Sequence, residues 1–219
     1  GLKGCLVDVT PDVRSTSAKA LGNLFVGIQI GDGAGATGAG AAGSAGAEAE
    51  GVAQLRDLIP WLSGMLSSPE SPVERGGAAQ GLAEVCHSLD REKMDAVLHK
   101  NLELQNKPDA GSREGLLWFL SFLPMSLGED FAVYITTSLP VVLAGLSDDN
   151  DGVRDAAMRA GQTMVLKLGM NHTLELLPSL SAGMFNDDWR IRQSSVKLLG
   201  ELLCLVGDTR AAALAVGED

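Results

Sequence analysis

Apolar residues recur along the chain with the period of an α-helix. From Leu55 they fall at Leu58, Ile59, Leu62, Met65 and Leu66, and from Leu116 at Phe119, Leu120, Leu123 and Leu127. From Phe131 they fall at Tyr134, Ile135, Leu139, Val142, Leu143 and Leu146, and from Val153 at Ala157, Ala160, Met164 and Leu168. Each set lies on one face of a helix with 3.6 residues per turn. The sets are separated by SSPESP at 67–72, SDDND at 147–151 and NDD at 186–188. Such residues accept hydrogen bonds from the unpaired amides that open a helix. The pattern predicts pairs of helices: first (A) helices over 52–66, 91–106, 129–146 and 171–185, and second (B) helices starting near 12, 73, 112, 152 and 189. Pro60, Pro140 and Pro178 fall inside predicted A helices, where the missing amide donor should kink them.

A short sequence marks the start of each B helix: DVRSTSAKALGNL at Asp12, PVERGGAAQGLAEV at Pro72, DAGSREGLLWFL at Asp109, DGVRDAAMRAGQ at Asp151 and DDWRIRQSSVKLLGEL at Asp187. The equivalent positions are Val13, Val73, Ser112, Val153 and Ile191, separated by 60, 39, 41 and 38 residues. The long interval contains residues 31–51, 21 residues of which 16 are Gly or Ala; without them it falls to 39. A period near 40 is that of an all-α, HEAT/armadillo-like helical-repeat solenoid, here of about four to five antiparallel helix pairs. Residues 1–219 are expected to form a single array fragment, with 31–51 as a flexible Gly/Ala-rich insertion and 207–219 as a frayed C-terminal tail. Small residues such as Gly76, Gly77, Ala78, Ala79, Ala156 and Ala157 would let neighbouring helices approach closely.

The insertion also carries Gly-x-Gly-x-x-Gly twice, at Gly33, Gly35 and Gly38 and at Gly38, Gly40 and Gly43. A dinucleotide fingerprint needs a strand before it and an apolar-faced helix after it. Val13, Ala20, Leu21, Leu24 and Ile28 give the preceding segment helical phase, and GSAGAEAEG follows with no apolar face. A flexible connection explains the glycines better than a phosphate loop.

Composition narrows the function. Leu and Ala dominate while aromatics are 4%, and the net charge of −11 disfavours a broad duplex-binding face but leaves room for a local basic patch. The longest apolar stretch, Gly115 to Leu127, is broken by Ser121, Pro124 and Ser126 and is too short for a bilayer span of about 20 residues. Cys5, Cys86 and Cys204 suit reduced thiols, which points to the cytoplasm. The chain opens on Gly1 with no signal pattern, as expected of a piece of a longer protein. His87, His99 and His172 lack the spacing of a metal site with the cysteines, and Asp148, Asp149 and Asp151 lack the Gly and Glu of a calcium loop, so capping is the better account of the latter. No Gly-x-Ser-x-Gly elbow occurs. No enzymatic activity, cofactor or metal is therefore expected.

Arg14, Arg113, Arg154 and Arg192 recur at one repeat position. Such a ladder serves the structure if each Arg bonds an acidic residue or carbonyl of the neighbouring turn; the alternative is a row that engages an acidic partner. Trp189 favours burial between repeats by its bulk. Beside it Arg190 has no recurring equivalent, and Trp with Arg is the composition of an interface hot spot, so Trp189 and Arg190 are the candidate protein-binding residues.

VRSTSAKALGNL (13–24), ERGGAAQGLAEV (74–85), FLPMSLGEDFAVYI (122–135), VRDAAMRAGQ (153–162) and FNDDWRIRQSSVKLLGELL (185–203) resemble the large HEAT-repeat translational activator of the general-control response. The resemblance spans nearly the whole chain except 31–51; Ser112 departs from the usual Val before Arg. It implies a cytosolic, non-enzymatic scaffold whose parent binds ribosomes and helps the amino-acid-starvation kinase phosphorylate the alpha subunit of translation initiation factor 2. The partners expected are therefore the ribosome and that kinase, through the parent, with no membrane and no sequence-specific nucleic acid. Another HEAT adaptor, such as a tubulin-binding or transport-type array, has the same fold.

Overall fold

A computed structural model describes residues 1–33, 57–69 and 71–216 of the chain. Among these residues the regular structure is helical, without a strand. The A helices are α1 (Leu2–Leu6), α3 (Leu58–Met65), α5 (Arg91–Leu102), α7 (Ile135–Gly145) and α9 (Thr173–Gly183). The B helices are α2 (Pro11–Gly33), α4 (Pro72–Cys86), α6 (Ala110–Leu127), α8 (Asp151–Leu168) and α10 (Trp189–Val216). Short 3₁₀ segments, Glu103–Asn106 and Gly128–Tyr134, end α5 and precede α7. Successive B helices pack on one another; α1, α3, α7 and α9 pack beside their own B helices, and in the third repeat the 3₁₀ segment Glu103–Asn106 makes the contact with α6. This is the stacking of a helical-repeat solenoid.

The B helices start where their caps dictate. Ser71 accepts from the Val73 amide at 3.1 Å with Pro72 at the first helical position. Asp109 accepts from Ser112 at 2.7 Å and Asn150 from Val153 at 3.3 Å. Before α10, Asp188 accepts from the Arg190 amide at 2.7 Å. Each cap satisfies one of the amides a first turn leaves without a partner. At the other end of α6 Gly128 adopts φ +56°, a left-handed conformation that costs a glycine little and stops the helix.

The expected apolar faces form the core. Leu62, Leu66, Leu82, Leu98, Leu116, Phe119, Leu120, Leu123, Ile135, Val142, Met164, Leu168, Leu198 and Leu202 are all at or near zero exposure. The apolar stretch 115–127 is the middle of α6, and its leucines face this core. Close approach is sharpest at two glycines. A Cβ on Gly77 would lie 1.9 Å from the carbonyl oxygen of Leu6, and one on Gly115 2.0 Å from that of Leu66. Gly76, by contrast, faces open space.

The boundaries differ from expectation in several places. α2 continues through residues 31–33, so the Gly/Ala insertion begins later than predicted; its remainder, 34–51, lies outside the described residues. No proline intervenes to stop α2 sooner. The backbone of 207–216 is helical rather than frayed, because TRAAALAV is rich in the strongest helix former; 217–219 lie outside the described residues. The short helix α1 carries too few residues to register as a periodic face. Pro60 sits in the first turn of α3, where its missing amide removes no helical hydrogen bond, whereas Pro140 and Pro178 lie deeper in α7 and α9, on exposed positions.

α10 exposes Val196 and Leu203. The residues 38 positions earlier, Met158 and Val165 on α8, are partly or fully buried, on the helix against which α10 packs.

Truncation of Leu120 to Ala is expected to cost about 2–5 kcal/mol, the range for a buried Leu that leaves a cavity. Gly115→Ala is expected to cost about 1–3 kcal/mol, because its methyl group meets a backbone carbonyl that cannot swing aside. Urea denaturation midpoints of the two variants measure both effects; an unchanged midpoint for Gly115→Ala would contradict the close approach.

Candidate interaction surface

The turn between each A and B helix presents carbonyls that no helical amide reaches. An arginine in the first turn of the B helix donates to them. Arg14 Nη1 donates to the carbonyls of Asp8 at 2.6 Å and Val9 at 3.0 Å. Arg113 Nη1 donates to those of Lys107 and Pro108, both at 2.8 Å. Arg154 Nη1 donates to the Asp148 carbonyl at 2.5 Å, and Arg192 Nη1 to those of Asn186 at 2.8 Å and Asp187 at 2.7 Å. Reaching back five or six residues, the guanidinium closes the turn over its own helix start. Arg113 also crosses to the next repeat, where Nε and Nη2 meet the two Asp148 oxygens at 2.7 and 3.0 Å. That bond holds the Asp148 carboxyl below its ordinary range and raises Arg113. Arg154 pairs with Asp151. Asp148 and Asp151 of SDDND are thus spent on arginines, and Asp148 and Asn150 on backbone amides of the turn.

The recurrence hid one further arginine. The sequence match at Val73 puts Glu74 in the recurring position, but Glu74 is the third residue of α4 and accepts from the Ser68 hydroxyl at 2.6 Å. Arg75, one residue later, is the fourth residue of α4, the place that Arg14, Arg113, Arg154 and Arg192 hold in α2, α6, α8 and α10. It donates from Nη1 to the Ser68 carbonyl at 3.0 Å and pairs through Nη2 with Glu114 of the next repeat. Glu114 in turn accepts from Trp118 Nε1 at 3.2 Å. Arg75 and Glu114 are 39 residues apart. The same separation joins the Tyr134 hydroxyl to Asp95 at 2.7 Å and the Gln162 amide to Glu201 at 2.8 Å. Burial, with the Asp95 acceptor, pushes the Tyr134 phenol up to about 12. One repeat length carries a residue to the same register on the next helix, so polar pairs spaced by the period were the signal that could have revealed these links.

Trp189 is not buried between repeats. It begins α10, before that helix enters the stack, and is 57% exposed. The Arg190 guanidinium lies 5.0 Å from its ring centroid, a cation–π contact. Phe185, at the start of the same turn, is 83% exposed. Arg192 belongs to the turn and Arg190 to the Trp, so the two arginines are divided between different tasks.

A second aromatic group lies on the B-helix surface. Trp118 and Phe122 stack with centroids 6.1 Å apart, and Arg159 of α8 covers the Trp118 ring at 5.1 Å. The histidines and cysteines are dispersed: His99 Nδ1 lies 2.8 Å from the Asp95 carbonyl, His172 Nε2 lies 2.6 Å from Glu129, Cys86 is buried with its thiol pushed up to about 12, and Cys5 and Cys204 are exposed. Among the described residues no three of His, Cys, Asp and Glu converge as metal ligands. The segment before Gly33 is helix α2, not the strand that a dinucleotide loop requires.

A family model described as EF3 N-terminal HEAT repeat matches residues 75–209. The chain is 38% identical over 205 residues to the stalled ribosome sensor GCN1 of Homo sapiens, a match covering 93% of the chain. It is 40% identical over 220 residues to protein ILITYHIA of Arabidopsis thaliana, covering 99%, and 37% identical over 198 residues to the eIF-2-alpha kinase activator GCN1 of Saccharomyces cerevisiae, covering 90%. The chain spans 7% of the length of each of these relatives. Among solved structures it is similar to a designed armadillo repeat protein at 14% identity and TM-score 0.42, covering 92% of this chain and 80% of the other.

Because the Asp148 carboxyl titrates below its unfolded value near pH 4, its contribution to stability is complete above about pH 4 and is lost as pH falls through the lowered value. Asp148→Asn is expected to be less stable than the parent at pH 7 and to lose less on acidification to about pH 2.5. Urea midpoints of both proteins along that pH series check this; parallel curves would contradict it.

Proposed function

The chain belongs to the EF3 N-terminal HEAT-repeat family, and from that premise we propose that it is a non-enzymatic scaffold segment of a GCN1-type translational activator in the cytoplasm. The observation that carries this reading is identity of 37–40% across 90–99% of the chain with proteins named for sensing stalled ribosomes and activating the eIF-2-alpha kinase. The partners of the parent are then the ribosome and that kinase. The fold supports a segment of a longer array. The α10 face bearing Val196 and Leu203 repeats the α8 face on which α10 itself packs, so a following helix pair would bury it. The polar chemistry supports a scaffold: caps, turn carbonyls and links between repeats consume the side chains that the fold brings together.

Trp189 and Arg190 are the residues proposed to face a partner. Aromatics are 4% of the chain, yet two of them, Phe185 and Trp189, stand exposed on either side of one turn. A Trp with a stacked Arg offers rigid apolar area and a cation together, the combination favoured at interface hot spots.

Ribosome co-sedimentation of the full-length parent tests the reading. Arg190→Glu is expected to weaken association several-fold and to make it less sensitive to salt. Stability is expected to hold within about 0.5 kcal/mol, as for surface substitutions generally, because an acidic residue in the first turn of α10 suits the helix dipole. Arg192→Glu is expected to lower stability first, since it breaks two bonds to turn carbonyls. Unchanged sedimentation of a folded Arg190→Glu parent would remove the residue from the interface. A parent that bound no ribosomes, but bound tubulin or a transport cargo, would replace the translational reading with that of another HEAT adaptor.

A further inference from the structure

The position five residues after each turn-closing arginine carries a second pattern. From Arg14, Arg75, Arg113, Arg154 and Arg192 it reaches Lys19, Gln80, Trp118, Arg159 and Lys197. Arg75 sets the register in α4, because it is the arginine that reaches the turn there. Five residues turn a helix by about 140° and advance it by about 7.5 Å, so this row stands clear of the turns, on the surface formed by the B helices. Lys19, Arg159 and Lys197 are exposed, and Gln80 and Trp118 are half-buried. The chain has 28 acidic against 17 basic residues. Even so, none of the three cations of the row takes part in the ion pairs of the described residues, whereas Arg75, Arg113 and Arg154 of the turn-closing set do. Unpaired cations at one register position in an acidic protein are available to a partner.

The row borders a cleft of about 520 Å³ that Gln80, Trp118, Phe122, Arg14 and Arg159 line together with the carboxylates Asp12 and Glu114, so its own charges balance and it suits an apolar side chain. Its floor is open at Gly76, where even a Cβ would meet nothing within 4 Å, so a backbone can approach there. Beside it stands the stacked Trp118–Phe122 pair with Arg159 over the Trp ring.

We propose that this row is a docking track for an extended acidic peptide segment of a partner protein. Packed helices lie about 8–10 Å apart, and three residues of extended chain span about 10 Å. A segment crossing α4, α6, α8 and α10 therefore sets every third residue over successive members of the row. Gln80 offers its amide to the peptide backbone, the aromatic pair takes an apolar side chain, and Arg159 and Lys197 each take a carboxylate. Spaced carboxylates fit better than a continuous polyphosphate, because Asp12 and Glu114 line the cleft, and Asp155, Glu84 and Glu201 stand one helical turn from members of the row, so an unbroken line of charge is repelled. The track does not depend on the ribosome reading: it concerns a different face from Trp189 and Arg190 and a peptide rather than an assembly.

Fluorescence anisotropy with the 219-residue chain tests it. The probe is a short fluorescein-labelled peptide in which a leucine is followed at the third and sixth residues by glutamates. Binding is expected, and it should weaken with added salt. Replacing both glutamates by glutamine, or combining Arg159→Glu with Lys197→Glu in the protein, is expected to reduce affinity about tenfold or more. Lys100→Glu, at an exposed position of α5, should leave affinity unchanged, and the melting midpoints of all variants establish that they are folded. Trp118→Ala should weaken binding while leaving most of the salt dependence in place. The proposal is overturned if the peptide does not bind, if the glutamine peptide binds equally well, if Lys100→Glu has the same effect as the paired reversal, or if single-stranded oligouridylate binds more tightly than the peptide.

Discussion

The Leu6 carbonyl stands 1.9 Å from where a Cβ on Gly77 would be, and the Leu66 carbonyl 2.0 Å from the corresponding point on Gly115. The end of one A helix therefore rests directly on the backbone of the next repeat's B helix. This contact sets the distance between repeats, and much else follows from it. With the B helices this close, alanines at 78, 79, 156 and 157 fill the interface completely. Longer side chains there would force the layers apart, which is why an Ala-rich, aromatic-poor chain still builds a dense core.

Close stacking also fixes the polar chemistry. Residues one period apart come to the same register on adjacent helices, so Arg75 meets Glu114, Tyr134 meets Asp95 and Gln162 meets Glu201. The turn carbonyls between A and B helices would be left without donors, and the guanidinium at the start of the B helix supplies them, with helical geometry aiming it backward. In α4 the arginine, again the fourth residue of its helix, reaches back seven residues instead of five or six: Arg75 bonds the turn at Ser68 while its other nitrogen reaches across the stack. The repeat therefore tolerates a turn of different length as long as a donor reaches it.

These demands sort the charged residues. Arginines at the turns are held by carbonyls and by carboxylates such as Asp148, whose acidity is increased by the pairing. Cations five residues later have no such partners and point away from the stack. Trp189, at the very start of α10, precedes the region where packing could enclose it. Side chains that the repeat does not use thus gather on two separate surfaces: the B-helix face around Trp118 and Arg159, and the turn from Phe185 to Arg190.

The sequence alone determined the helix pairs, their period near 40, the capped starts of α4, α6, α8 and α10 and the recurring Arg14, Arg113, Arg154 and Arg192, because all of these are local: spacing, caps and helical phase act over a few residues. It also located Trp189 and Arg190 as an unusual pair, though the bulk of the Trp argued for burial. Only the tertiary structure decided which side the Trp faces, that Arg75 and not Glu74 stands in line with the turn-closing arginines, and that Glu114 accepts from the Trp118 indole. It also decided that α2 and α10 run on past their last periodic contacts. The reason is physical. A side chain's fate in a solenoid depends on the neighbouring repeat, and a shift of one residue turns it by about 100°, which the recurrence of residue types along the chain does not record.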